Sequence, residues 1–299
     1  MKKNKLSGSH KCNLVLAGFA KSGTSSLHSY LALHPRIAMS SVKEPHYFSV
    51  EKKWKLGPKY HNSLFESAVK KDVVYYGESS TTYSISERAI QRIDDQLRAP
   101  KIMFIVREPV ERVVSHYRWM FALGLERRPI LDAIEQDGFG FDPNSAFQGN
   151  FRSYLQFSSY SQYIPRWQER FGEANVLVLR SDELKKNPAG VLNQCFDFLE
   201  LNPVPFDVEI IENQTVNSLP IVVHPIFKSI SRLIPISVKD HLAQSRLVYG
   251  MWKTAARSEI NQTIPNISPT EMAAIAGMLQ NEIEYFKSLS KHLGVVYAR

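Results

Sequence analysis

Leu14-Val15-Leu16-Ala17-Gly18-Phe19-Ala20-Lys21-Ser22-Gly23-Thr24-Ser25-Ser26-Leu27 opens as a continuous apolar run, narrows to small residues and closes on hydroxyl side chains. An unbroken apolar run suits a strand covered on both faces, as in a parallel sheet. The small residues suit a tight turn, and the serines and threonine suit the start of a helix. A strand, turn and helix in that order aim several backbone N–H groups and the positive helix end at one point, where a phosphate or sulfate oxygen can be held. Gly18 to Gly23 has the spacing of a Walker A loop, but Thr24 follows where that loop needs lysine. A lysine sits inside the turn instead, as Lys21, from where its ammonium could reach back over a bound anion. Taken alone, Lys21 could equally be a solvated loop lysine.

On either side of this stretch the chain alternates β-branched runs with helical-period segments, the pattern of a largely parallel sheet covered by helices. Strands are predicted at Asn13 to Ala17, Val73 to Gly77, Lys101 to Val106 and Asn175 to Leu179, with a weaker fifth at Ile37 to Ser40. Helices are predicted over Thr24 to Leu33, Ser86 to Arg98, Pro109 to Leu123, Ser161 to Phe171 and Asn187 to Leu199. In the helix from Ser86, Ala89, Ile90, Ile93 and Leu97 share one face, leaving Arg88, Arg92 and Asp95 to water. One C-terminal helix is expected from Ser268 to His292, begun by Ser268-Pro269-Thr270-Glu271 and carrying an apolar stripe of Met272, Ile275, Ala276, Leu279, Ile283 and Phe286. The expected fold class is therefore a three-layer α/β arrangement, a mostly parallel sheet flanked by helices with a P-loop-like phosphate-binding loop.

No repeat or linker divides the 299 residues, and a single domain over 1–299 is expected, with 1–12 flexible and 201–299 divergent. That last part is expected to carry the acceptor side and the C-terminal helices. An apolar fraction of 43% excludes wholesale disorder. The strongest apolar run, Leu14 to Ala20, falls well short of the roughly 18 residues that span a bilayer, so no transmembrane helix is expected. The basic N-terminus lacks a signal peptide's apolar core and cleavage site, and a cytoplasmic location is expected. Cys12 and Cys195 are the only cysteines, too few for a disulfide framework or a thiolate-bound metal. A formal charge of +8 points to an anionic partner without choosing among nucleic acid, acidic membrane and a phosphorylated small molecule.

The strand from Lys101 ends Phe104-Ile105-Val106-Arg107, where a P-loop NTPase usually carries an aspartate that helps hold Mg²⁺. An arginine there repels a metal and attracts an anion. Glu108-Pro109-Val110-Glu111-Arg112-Val113-Val114-Ser115 follows, with the proline at a first helical position. Arg107 thus lies at a strand's carboxyl end, where open α/β sheets bind ligands, and Ser115 on the next helix could donate to the same anion. Arg107 could instead pair with Glu108 or Glu111. Cations without a metal-binding carboxylate suggest a group transfer whose charge is met by side chains.

These residues resemble the sulfotransferases that use 3'-phosphoadenosine 5'-phosphosulfate (PAPS). Lys21-Ser22-Gly23-Thr24-Ser25-Ser26-Leu27 is similar to their 5'-phosphosulfate loop, and Arg107 to Ser115, eight positions apart, to their 3'-phosphate motif. Leu33-His34-Pro35 with Lys43-Glu44-Pro45-His46-Tyr47-Phe48, and Gly77-Glu78-Ser79-Ser80-Thr81-Thr82-Tyr83, resemble the heparan sulfate and bacterial branch. Gln162 to Trp167, Val176 to Leu184 and Asn187-Pro188 are similar to the family's fifth-strand region. The likeness runs from about Leu14 to Leu199.

The resemblance implies transfer of a sulfuryl group from PAPS to a hydroxyl or amine, releasing adenosine 3',5'-bisphosphate (PAP), without a metal. It gives Lys21 the charge on the leaving phosphate and Ser22, Gly23, Thr24, Ser25 and Ser26 the phosphosulfate. Arg107 and Ser115 take the 3'-phosphate, and Glu44 is the general base. From the residues alone, Glu44 could instead pair with Lys43, or His46 could take the proton. His116, next to Ser115, is expected in helix packing or on the exposed face. Ser79 stands where the heparan branch carries lysine, which weakens the case for a heavily sulfated polysaccharide acceptor. No basic late 3'-phosphate loop is clear after Asn213-Gln214-Thr215-Val216-Asn217, where Lys228, Arg232 or Arg246 could substitute.

The acceptor, a small molecule or carbohydrate, is left open, as is the oligomeric state. A P-loop-type nucleotide kinase or NTPase is the nearest alternative, and a PAPS-binding protein without catalysis is another. Nucleic-acid binding is disfavoured because the basic residues are dispersed.

Overall fold

The computed structural model of the chain describes residues 11–68, 71–122, 125–140, 152–204 and 265–292. β1 (Leu14–Leu16) runs into α1 (Thr24–Leu31), and β2 (Ile37–Met39) into the short helices α2 (Glu51–Trp54) and α3 (Gly57–Ser63). β3 (Tyr75–Ser79) leads to α4 (Glu87–Gln96), and β4 (Lys101–Val106) to α5 (Pro109–Ala122) and α6 (Ile130–Asp137). α7 (Tyr160–Phe171) precedes β5 (Val176–Arg180), which is followed by α8 (Ser181–Lys186) and α9 (Pro188–Phe198), with α10 (Pro269–Met278) and α11 (Gln280–His292) near the end.

Among the described residues five strands pair in parallel, in the order β2-β3-β1-β4-β5. Side chains alternate across this sheet, as the period of two requires. On β4, Ile102, Phe104 and Val106 pack with Ile90 and Ile93 of α4 and Ile164 and Trp167 of α7. Met103 and Ile105 point the other way, into a core with Leu27 and Leu31 of α1 and Leu192 and Phe196 of α9. Helices therefore cover both faces, which makes the fold the expected three-layer α/β arrangement. β1 is central, so the loop leaving its carboxyl end lies between those leaving β3 and β4.

Besides α2, α3, α6 and α8, which were not foreseen, the structure departs from the sequence reading in three places. β3 sits two residues later than the run at Val73 because its ladder with β1 pairs Leu14 with Gly77 and Leu16 with Ser79. The polar Glu78 and Ser79 inside the strand hide it from a search for apolar runs. Arg92 does not face water: it donates to the carbonyl of Phe48 and to Glu51, and stacks 4.6 Å from the Trp54 ring centre.

The third difference is at the C-terminal helix. Leu279, at φ −116° and ψ 18°, leaves the helical region and divides it into α10 and α11. The break lets one apolar stripe serve two cores. Ile275 and Leu279 join Val113, Val114 and Tyr117 of α5, while Phe286 packs in the core that holds Trp167. Met272, expected in the stripe, is 36% exposed. The Ser268–Glu271 capping box is present in full. Asn213 to Asn217, Lys228, Arg232 and Arg246 lie outside the described residues.

Candidate functional site

The turn after β1 is built from two unusual backbone positions. Lys21 has φ 68° and Gly23 φ 100°, and together they fold the chain back so that α1 starts at Thr24. A non-glycine residue in the left-handed region is strained, and such strain persists only where the surroundings impose it. Gly18 is required for a different reason: a Cβ there would lie 2.6 Å from Thr24 Cγ2 and 3.1 Å from Ile105 Cγ2, so the loop could not close against α1 and β4.

Arg107 follows the last residue of β4, and its carbonyl accepts a 2.9 Å hydrogen bond from the Tyr160 hydroxyl. Its guanidinium donates twice to Glu111 Oε2 at 3.1 Å, so the alternative pairing foreseen for it is present. Ser115, two turns into α5, and Trp119, one turn further, face the same opening. Lys21 Nζ lies 5.1 Å from the Trp119 ring centre, over an aromatic face that attracts cations. Burial, reinforced by Arg107 and Lys43, lowers the Lys21 pKa to about 8.

The segment after β2 supplies the acidic and imidazole groups. Glu44 and His46 have φ 59° and 54° on either side of Pro45, a double left-handed bend that turns both side chains toward the loop. The bend is pinned to β3 and the residues after it: Glu44 N donates to Ser79 O at 2.9 Å, and His46 N to Ser80 Oγ at 3.0 Å. Glu44 Oε2 accepts from Thr81 N at 2.8 Å and Thr81 Oγ1 at 3.0 Å, while Oε1 holds Lys43 Nζ at 2.6 Å. Burial pushes the Glu44 carboxyl up, but Lys43, His46 and the Thr81 N–H together outweigh it and hold the pKa below the usual carboxylate value.

His46 Nε2 is 3.7 Å from Glu44 Oε2, and its Nδ1 shares a 2.8 Å hydrogen bond with Thr82 Oγ1. Burial lowers its pKa, with Glu44 pulling the other way, so the ring is neutral near pH 7. The Ser79 hydroxyl shares a 2.6 Å hydrogen bond with His28 Nδ1. Burial, helped by Lys43, brings that histidine down to about 4. Ser79 and His28 thus form a neutral hydrogen-bonded pair.

All ten residues singled out in the sequence line one cavity of about 920 Å³: Lys21, Ser22, Gly23, Thr24, Ser25, Ser26, Glu44, His46, Arg107 and Ser115. Thr81, Trp119, Tyr30, Ser181, Leu184 and Lys185 line it as well and were not foreseen. Trp119 could have been found as the residue one turn beyond Ser115, and Ser181 and Lys185 as the residues following the carboxyl end of β5. His116 is wholly buried and stacks edge-on to Tyr154, which decides between the two placements expected of it in favour of packing. A second hollow of about 690 Å³ shares Arg107 and Ser115 and extends to Arg118 and Met272.

The cavity suits a nucleotide with phosphates at both ends. Loop amides, Lys21, Arg107 and Ser115 line it together, with aromatic and apolar side chains available for a base. Among the described residues, Cys12, His61 and Glu78 bring metal-ligand atoms within 4.8 Å of one another, away from the cavity lining. Glu78 is already engaged there by the Tyr83 hydroxyl, Ser80 Oγ and His61 Nε2.

The family model of the sulfotransferase domain matches residues 11–219. The chain is 26% identical over 201 residues to mouse heparan sulfate glucosamine 3-O-sulfotransferase 3B1, covering 67% of this chain and 49% of that protein. It is 27% identical over 207 residues to the bifunctional heparan sulfate N-deacetylase/N-sulfotransferase 1 of Caenorhabditis briggsae, covering 66% and 24%. The chain therefore spans half the length, or less, of these two curated relatives. Among solved structures, the sulfotransferase of Alicyclobacillus acidocaldarius has the same fold, with a TM-score of 0.57 at 22% identity over 81% of this chain and 98% of that one. Mouse sulfotransferase SULT7A1, solved in complex with PAP, aligns with a TM-score of 0.50 at 17% identity over 96% and 90%. Since the matched region takes in β1 to β5 and with them every residue placed around the cavity, this chain belongs to the sulfotransferase domain family.

Proposed function

We propose that the protein transfers the sulfuryl group of PAPS to a hydroxyl or amine acceptor and releases PAP. The observation that carries this is the single cavity on which loop amides, Lys21, Arg107 and Glu44 converge. In the transfer the acceptor oxygen or nitrogen forms a bond to sulfur, and the bond from sulfur to the bridging oxygen of the 5'-phosphate breaks. The acceptor's proton passes to the Glu44 carboxylate, which Thr81 holds in place. The negative charge left on the phosphate falls beside Lys21 and the amides of Ser22 to Ser26, donors fixed before the reaction begins. Arg107 and Ser115 hold the 3'-phosphate and set the register of the donor. His46, neutral and bonded to Thr82, positions Glu44 from behind.

A carbohydrate acceptor is the reading that the heparan sulfate relatives favour. Ser79, standing where the resemblance leads a lysine to be expected, favours a less heavily sulfated acceptor than heparan sulfate. Labelled PAPS incubated with a panel of saccharides, phenols and lipid alcohols should give sulfated product with Glu44 intact. Glu44→Gln should lower kcat by about 10²–10⁴-fold. PAP should raise the melting temperature, and Arg107→Ala should weaken that rise more than Glu44→Ala. Equal protection in the two variants overturns the division between binding and proton transfer, and Mg²⁺-dependent ATP turnover in place of sulfuryl transfer overturns the reading itself.

A further inference from the structure

Lys43 and Glu44 are adjacent in sequence and paired in space, with Nζ to Oε1 at 2.6 Å and side chains 28% and 26% exposed. Both line the cavity with Lys21 and Arg107. Glu44 is fixed on its other side by two donors from Thr81 and by its own left-handed backbone. Among the described residues Lys43 has no such fixture, and its unbranched stem can carry the ammonium through several ångströms without moving the main chain. A carboxylate saturated by an ammonium and two further donors is a poor proton acceptor, so the pair as it stands does not suit the transfer.

Building on the donor reading above, we propose that Lys43 exchanges partners: it neutralises Glu44 in the free protein and moves to the phosphosulfate end of the donor when that binds, leaving Glu44 free to accept the acceptor's proton. Donor binding would thereby switch on the base, which makes the donor the first substrate to bind. The charges around the cavity favour the exchange. Lys21, Lys43 and Arg107 crowd one opening, and the other two add to the burial that lowers the Lys21 pKa. Arg107 and Lys43 each rest on a nearby carboxylate, Glu111 and Glu44. An anion carrying several charges offers Lys43 a better partner than a single carboxylate.

The groups acting on Glu44 come from several elements. Lys43 and His46 flank it, Thr81 follows β3, and His28 reaches it from α1. Glu78 of β3 and Lys53 of α2 act on it through His46. Burial alone raises its pKa, so the loss of Lys43 lets the carboxyl climb and favours proton uptake as PAP binds.

Titration calorimetry with PAP, run near pH 6 in two buffers of different ionisation heat, counts those protons. Wild-type protein should take up more than Glu44→Gln. In a Lys43→Met background that Glu44-dependent excess should fall by at least half, because the carboxyl has already risen before PAP arrives. A crystal structure of the PAP complex should place Lys43 Nζ beyond hydrogen-bond distance of Glu44. Binding of PAP with equal proton counts in wild type and Glu44→Gln, an excess unchanged by Lys43→Met, or a complex with the pair intact overturns the exchange while leaving the donor reading standing. No heat with PAP in any variant overturns both.

Discussion

Lys21 combines three features that rarely coincide: a left-handed backbone, substantial burial, and two cations nearby with no carboxylate of its own among the described contacts. The energetic sense is that its charged form is held at a cost that a bound anion relieves. The sign follows directly. In the free protein Lys21 loses its proton near pH 8, and a bound phosphate or sulfate favours the protonated form and raises that value. The PAP dissociation constant should therefore be flat below about pH 7 and weaken by up to about tenfold per unit as the pH climbs past 8. Lys21→Met should bind more weakly at neutral pH and lose the alkaline limb, and it should lower kcat by about 10²–10³-fold through the uncompensated leaving phosphate. Calorimetry between pH 6.5 and 9.5 measures the limb, and an identical pH profile in wild type and variant would remove Lys21 from the anion's contacts.

Behind the loop, α5 contributes a second cation of a different kind. Arg112 is wholly buried and donates to the carbonyls of Ala20 and Tyr154 and to Ser158 Oγ, which ties the phosphate loop to α5 and to the segment before α7. Burial, offset in part by Tyr160 and reinforced by Arg107, brings its pKa to about 10, so it stays charged at neutral pH. Arg112→Met strands those acceptors and should cost on the order of 3 kcal/mol in urea unfolding. It should also weaken PAP binding, because the Ala20–Lys21 peptide loses its anchor. Arg112→Lys keeps the charge but not the fork of donors and should recover little of either. This clamp was not legible in the sequence, where Arg112 reads as one more polar residue on an amphipathic helix. The same limit explains Arg92, whose partners Glu51 and Trp54 arrive from α2, and Thr81, whose value lies in meeting Glu44 across the ends of two strands. What the sequence does disclose is local: the loop from Gly18 to Ser26, the buried strand Lys101 to Val106 and the Arg107–Ser115 spacing. Each owes its form to neighbours in the chain. The divided C-terminal helix and the shifted β3 owe theirs to cores and ladders set elsewhere.

The two cysteines provide a test of how these parts cooperate. Cys12 packs in the core beneath α4 and α7, and Cys195 in the opposite core beneath α1 and α9, so the sheet lies between them and no disulfide joins them. Burial pushes both thiols up, Cys12 further still through Glu78, and neither is exposed by more than 2%. Native protein should therefore react with no thiol reagent, and denatured protein with two equivalents. On heating, the two sites should become reactive in one transition, since Phe286 of α11 shares the core of Cys12 and β4 contributes side chains to both cores. PAP at a hundredfold excess over its dissociation constant adds about 2.7 kcal/mol to the folded state. At roughly 2–4 °C per kcal/mol for a chain near this size, both labelling midpoints should rise together by about 5–10 °C. The site touches only the carboxyl ends of the strands, so a common rise means that the anion's binding energy is distributed through the sheet to both cores. A rise confined to one thiol, read by mass spectrometry of the labelled peptides, would divide the chain into units that unfold separately and overturn the single-domain reading.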